Sequence, residues 1–275
     1  MSNRLTSNFG KLSIFFCCAV ILCLTSCGRD DDQVVSVDQE EFSAEDRKAI
    51  SNSLENAIDN HEGYDVINPQ ATSEMAAFHE YLNRNYQALV NTDRVTNRND
   101  FSWSIHVLDD EESKNAFITP GGAMYITTAL LKSIKTEHEL IGILAHEISY
   151  ADGDVLINKL KNQFDGGVLL FEIIQGFNPP ELPSMAAALK DISFTEEEVL
   201  AADSYAVDII CDFLYDPHGI RDFLKRITTS EEKVDWQINR PSTEDRNKQV
   251  ELNASGCGPG RRFEDRYQYF LENLQ

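Results

Sequence analysis

Residues 115–154 read NAFITPGGAMYITTALLKSIKTEHELIGILAHEISYADGD, and the fold turns on how this stretch divides. Pro120-Gly121-Gly122 is a turn signal, and Ala123-Met124-Tyr125-Ile126-Thr127 after it reads as a strand. From Glu137 the period changes: Leu140, Ile141, Leu144 and Ile148 recur three and four residues apart, which is one face of a helix. Working outward, Trp103, Ile105 and Val107 alternate with Ser102, Ser104 and His106 as a half-buried strand. Further upstream, Ser43-Ala44-Glu45-Asp46 is a cap and first turn before Ile50, Leu54, Ala57 and Ile58, and a second helix runs over about 72–90. Downstream of 137 the pattern is helical at about 137–162, 166–176, 183–191, 195–214, 217–229, 241–253 and 262–273. The spacing predicts an α+β domain, mainly helical, with a small sheet.

The chain has 275 residues, with 24 Lys and Arg against 46 Asp and Glu, a net charge of −22. That balance excludes a nucleic-acid partner, because neutralising phosphates takes clustered Lys and Arg. A Gly-rich phosphate loop and a Gly-x-Ser-x-Gly elbow are both missing from the sequence. His61, His79 and His106 lack ligand spacing, and Trp103 and Trp236 read as core-packing residues.

Residues 1–26 read as a signal peptide: Arg4 and Lys11 are their only charges, and an apolar run from Leu12 to Leu24 follows. The run ends in Leu24-Thr25-Ser26-Cys27, which resembles a bacterial lipobox. The resemblance implies cleavage before Cys27 and acylation of its thiol, placing the protein in the bacterial cell envelope on the periplasmic face or the cell surface. Removal of 1–26 takes away two positive charges and no negative ones, so the mature net charge becomes −24. Such a surface is repelled by anionic headgroups, and attachment rests on the lipid. Residues 27–45 read as an acidic tether, and 46–275 as the folded domain. With Cys17, Cys18 and Cys23 discarded and Cys27 acylated, Cys211 and Cys257 remain, as a disulfide or as two buried thiols.

The words of the 115–154 block, in order Asn115-Ala116-Phe117, Pro120-Gly121-Gly122, Tyr125-Ile126-Thr127, Glu139-Leu140 and Leu144-Ala145-His146-Glu147, resemble the HtpX-like and CAAX-prenyl-protease-like zinc metallopeptidases. These are gluzincins of the HExxH type, and the likeness is to their soluble periplasmic and lipoprotein branch. It continues through Phe194-Thr195, Ala202-Asp203, Tyr215-Asp216-Pro217 with Gly219, and Arg240-Pro241 followed by Arg246, so it covers roughly 72–258. What the resemblance implies is a zincin-like fold with zinc held by two histidines one helical turn apart and a Glu from a second helix. His146 is the first ligand on that pattern, Glu147 the general base and Asp203 the outer carboxylate that steadies a ligand. The regions of Cys211 and Cys257 are also expected to pack together in the related lipoproteins.

The departures decide the chemistry. The second histidine position is Tyr150, the third ligand position is Val199, and the auxiliary His-Pro histidine is Arg240. Glu198 is a possible substitute, but one residue rotates a side chain about 100° around a helix. Tyr150 would have to lose a proton of pKa about 10 to ligate. Zinc, expected from the family, is therefore weakly held or absent. The expected function is a membrane-anchored lipoprotein with a weakened or inactive metalloendopeptidase domain that binds extended or unfolded envelope polypeptides, along the strand near 123–127. An active peptidase using His146, Tyr150 and Glu198 in envelope quality control is the alternative, and a purely structural envelope component a third reading.

Overall fold

The computed structural model describes residues 41–230, 234–238 and 242–274, which lie in one compact unit. The readings on Cys27 and Arg240 fall outside the described residues.

Helix α1 (Ala44–Asp59) starts at a capping box in which the Ser43 hydroxyl and the Asp46 carboxylate each bind the other's backbone N–H. Helix α2 (Ser73–Val90) starts at Thr72 in the same manner, without the reciprocal bond. Three strands follow: β1 (Ser104–Leu108), β2 (Ala116–Ile118) and β3 (Ala123–Thr127). The sequence pattern marks β1 and β3; β2 is too short to show alternation. The sheet order is β1-β3-β2, with β1 parallel and β2 antiparallel to β3. The turn from β2 into β3 needs a residue at φ 96°, and Gly122 supplies it.

Helix α3 (Thr128–Ser133) leads to α4 (Glu137–Asp152), the buried axis of the domain. The helix expected over 137–162 is in fact two, α4 and α5 (Val155–Gln163). The break has a physical cause: the Arg47 guanidinium takes the carbonyls of Ala151 and Gly153, and the Asp152 carboxylate binds the N–H groups of Thr96 and Asn97. Side chains from elsewhere satisfy the end of α4, so the helix need not continue. Then come α6 (Val168–Ile174), α7 (Leu182–Ala188), α8 (Glu196–Ile210), α9 (Gly219–Ser230), α10 (Asp235–Ile238), α11 (Thr243–Ala254) and α12 (Glu264–Leu271).

Helices α8 and α9 both pack on α4, and α11 packs on both of them. The α4–α9 approach is close enough that a Cβ at Gly142 would lie 2.7 Å from the Ile220 nitrogen. Cys211, at the end of α8, and Cys257, just after α11, form a disulfide with Cα atoms 5.2 Å apart. The mainly helical α+β architecture with a small sheet matches the sequence expectation.

Candidate active site

His146 and Glu147 lie on α4, Asp203 on α8 and Arg246 on α11, and the packing of these helices brings them into one buried line. His146 Nδ1 donates to Asp203 Oδ1 at 2.8 Å. Arg246 closes on the same carboxylate with Nε to Oδ2 and Nη2 to Oδ1, both 2.8 Å. All three side chains are fully buried. Burial alone would raise the Asp203 carboxyl; the Arg246 charge and hydrogen bonds, joined by His146, more than offset it and hold the group far below the usual range. An ionised Asp203 accepts only, which fixes the Nδ1–H tautomer of His146.

Glu147 Oε1 accepts from the indole Nε1 of Trp236 at 2.6 Å. Trp236 stands edge-on to His146, 5.2 Å between centroids, and lies under the Arg246 guanidinium at 5.1 Å. The reading of Trp236 as a packing residue thus holds only in part: it is buried, and it also holds the expected general base. Nothing in local sequence separates it from Trp103. Its backbone N–H reaches the Lys114 carbonyl, while the Asp235 carboxylate accepts from Lys114 N–H, which ties α10 to the chain just before β2. The cleft between Glu147, Trp236, Phe194 and β2 holds only about 30 Å³, room for a water or two.

Tyr150, one turn after His146, is buried and lies flat on Phe194 with centroids 3.8 Å apart and planes within 6°. Val199 is fully buried and offers no donor atom. Glu198, the possible substitute, is engaged elsewhere. Its carboxylate accepts from the Thr195 N–H at 2.7 Å and pairs with Lys159 at 2.8 Å, which holds it at the start of α8. The 100° rotation from position 199 is the physical reason.

Among the described residues, the donor set at His146 falls short of the three ligands expected of a zinc centre. A tetrahedral site takes three protein ligands or more. Here the positions a turn below and across carry a stacked phenol and a valine, and among the described residues no three His, Cys, Asp or Glu converge on His146. The one such group among the described residues is elsewhere: His138, Asp216 and Asp222, with ligand atoms within 4.8 Å of one another. His138 is at the opposite end of α4, as its two-turn separation from His146 requires. Arg262 already bridges that pair of carboxylates, with Nη2 2.7 Å from Asp222 and Nε 3.2 Å from Asp216.

The strand at 123–127 was expected to offer an edge to an extended peptide. It cannot, because β3 is the central strand and both of its sides are paired. The strand beside the cleft is β2. Its antiparallel register sets Phe117 against Tyr125 and leaves the carbonyls of Ala116 and Ile118 and the N–H of Ile118 directed away from β3. The Ala116 N–H is already taken by the Asn115 side chain.

The mainly helical fold with its small sheet is consistent with a zincin-like peptidase domain. Residues 77–178, about a third of the chain, match the family model of Peptidase family M48. Among curated proteins it is similar to Metalloendopeptidase OMA1, mitochondrial, of Bos taurus, 40% identical over 52 residues, 19% of this chain and 10% of that one. Mitochondrial metalloendopeptidase OMA1 of Arabidopsis thaliana is 24% identical over 116 residues, 42% of this chain and 24% of that one. The Homo sapiens protein, Metalloendopeptidase OMA1, mitochondrial, is 42% identical over 50 residues, 18% of this chain and 9% of that one. The chain matches about a tenth to a quarter of the length of these relatives.

Proposed function

We propose that this chain is a lipid-anchored lipoprotein of the HtpX-like branch whose metallopeptidase domain has lost tight zinc binding and fast hydrolysis and holds extended or unfolded envelope polypeptides. The observation that carries the reading is the replacement of the ligand set: a phenol stacked on Phe194 at position 150 and a core valine at 199. Asp203 steadies the His146 ring through Nδ1, as it would for a metal ligand, and Trp236 holds Glu147, so what sets this site apart is the missing second and third donors. The outer edge of β2, which lines the cleft, supplies the main-chain partners an extended client needs, with Phe117 and Phe194 as apolar walls. In the present form the cleft is narrow, so a client enters only when its walls part.

No helix among the described residues is long and apolar enough to cross a membrane, and the proposed attachment is the acyl chain on Cys27. Residues 1–26 as the signal, 27–45 as the tether and 46–275 as the functional domain are part of the same proposal.

The test is a zinc analysis of the purified, acylated protein together with casein cleavage by it and by a Glu147→Gln variant. Substoichiometric zinc and no Glu147-dependent cleavage are expected. One zinc per chain with Glu147-dependent cleavage would establish instead an active envelope peptidase with an unusual ligand set. Cys27→Ala should release the protein from membranes; continued association would assign anchoring to the uncleaved apolar run.

A further inference from the structure

Helix α6 and the loop after it carry a surface unlike the rest of the molecule. Residues 167–180, GVLLFEIIQGFNPP, contain one charged residue, Glu172, in a chain where a quarter of residues are charged. Apolar side chains point both ways from α6. Leu169, Leu170 and Ile173 are buried, and the helix packs against α1. Val168 and Phe171 face solvent, 43% and 39% exposed, and Phe177 stands out beyond Gly176 at 66%. Six large hydrophobics are exposed among the described residues, and these three fall within ten positions of one another. Scattered exposed hydrophobics are ordinary, whereas a local group of them marks a contact surface.

We propose that this face rests in the headgroup region of the bilayer, as a second membrane contact beside the acyl chain. Two observations select the occupant. The first is the N-terminal chain: it enters α1 at Ser43, and α1 packs on α6 and α7, with Phe177 beside its far end at Asn56 and Asn60. From Cys27 to Ser43 there are 16 residues, a reach of at most about 55 Å when extended, against about 24 Å for the length of α1 itself. A membrane holding Cys27 is therefore within reach of α6, and the proposal rests in this respect on the anchoring reading. The second is charge. A domain of this acidity is repelled by anionic lipid over most of its surface, and a nearly uncharged stretch is the part that can approach a bilayer closely. A single acyl attachment fixes position but not orientation; a second apolar contact determines which side of the domain faces the membrane.

The experiment uses the full acylated chain in phosphatidylcholine vesicles whose acyl chains carry bromine, a short-range quencher of indole. Trp103 and Trp236 are buried, so an indole introduced at the surface gives a separate signal. Phe171→Trp and Phe177→Trp are compared with Leu252→Trp, an exposed apolar position on α11. The expected result is that the Phe177→Trp and Phe171→Trp proteins lose about half of the added emission in brominated vesicles, consistent with burial at the headgroup–acyl boundary. The Leu252→Trp protein should keep its own. If all three behave alike while the protein floats with the vesicles, this contact is wrong and the anchor stands. Failure to float removes both. A blue shift of the Phe177→Trp emission that grows with protein concentration and needs no lipid would assign the face to a second copy of the chain, and also overturns the proposal.

Discussion

The two ends of α4 present opposite relations between motif and geometry. At the C-terminal end, His146-Glu147 is the part of the chain that resembles a metal centre, and Asp203 steadies the His146 ring, yet the second and third expected ligands are replaced. At the N-terminal end, Glu137, His138 and Glu139 match no ligand spacing, yet His138 meets two carboxylates from other elements within 4.8 Å. Both ends hold buried carboxylates, and each is neutralised by arginine from a distant part of the chain. Asp203 depends on Arg246, which is itself buried. Glu137 is bound by Arg266, which is partly exposed, and also accepts from the hydroxyls of Tyr81 and Tyr215. A motif marks where chemistry is expected, and the convergence of donors decides where it can occur.

The comparison breaks most visibly if the lost ligands are returned. Tyr150→His with Val199→Glu should bring about one zinc per chain onto His146, measured by elemental analysis, because the two donors again stand a turn below and across from it. Hydrolysis should stay slow while Arg240 remains, since losing an oxyanion donor costs about 10²–10³ in rate. Arg240→His added to the pair should then raise casein cleavage.

The next largest effect concerns the buried pair. Arg246→Ala strands the Asp203 carboxylate in the core and should cost about 3–5 kcal/mol in urea unfolding at neutral pH. The same pair predicts an acid response. The folded pKa of Asp203 lies below its unfolded value of about 4, so its stabilisation is complete above that pH and is lost as the pH falls through the folded pKa. Asp203→Asn should be less stable at neutral pH and decline less steeply under acid.

At the other end, Arg266→Ala should cost less, about 1–3 kcal/mol, because two phenol donors stay on Glu137. A loss equal to that of Arg246→Ala would show that the two ends are not different in kind. Smallest of all, Glu198→Ala should cost at most about 1 kcal/mol, the value of a helix cap, with no change in metal content. A drop in bound zinc in that variant would return Glu198 to the ligand set.

Much of this was legible in the chain itself. Periodicity placed most of the helices and two of the strands, missing the short α3 and α10 and the break between α4 and α5. Once the family resemblance supplied the ligand pattern, counting from His146 and Asp203 led to Tyr150 and Val199, because both are local relations along a helix. The 100° step that turns Glu198 away from the site is of the same kind. Tertiary structure decided the rest. That β3 is central and β2 lines the cleft follows from strand pairing, which no single strand encodes. Trp236 reaches Glu147 across 89 residues, and Arg246 reaches Asp203 across 43. Neither partner is marked by spacing, because a buried carboxylate must be paired by whatever donor the packing brings to it, and that donor is chosen by how α4, α8 and α11 meet.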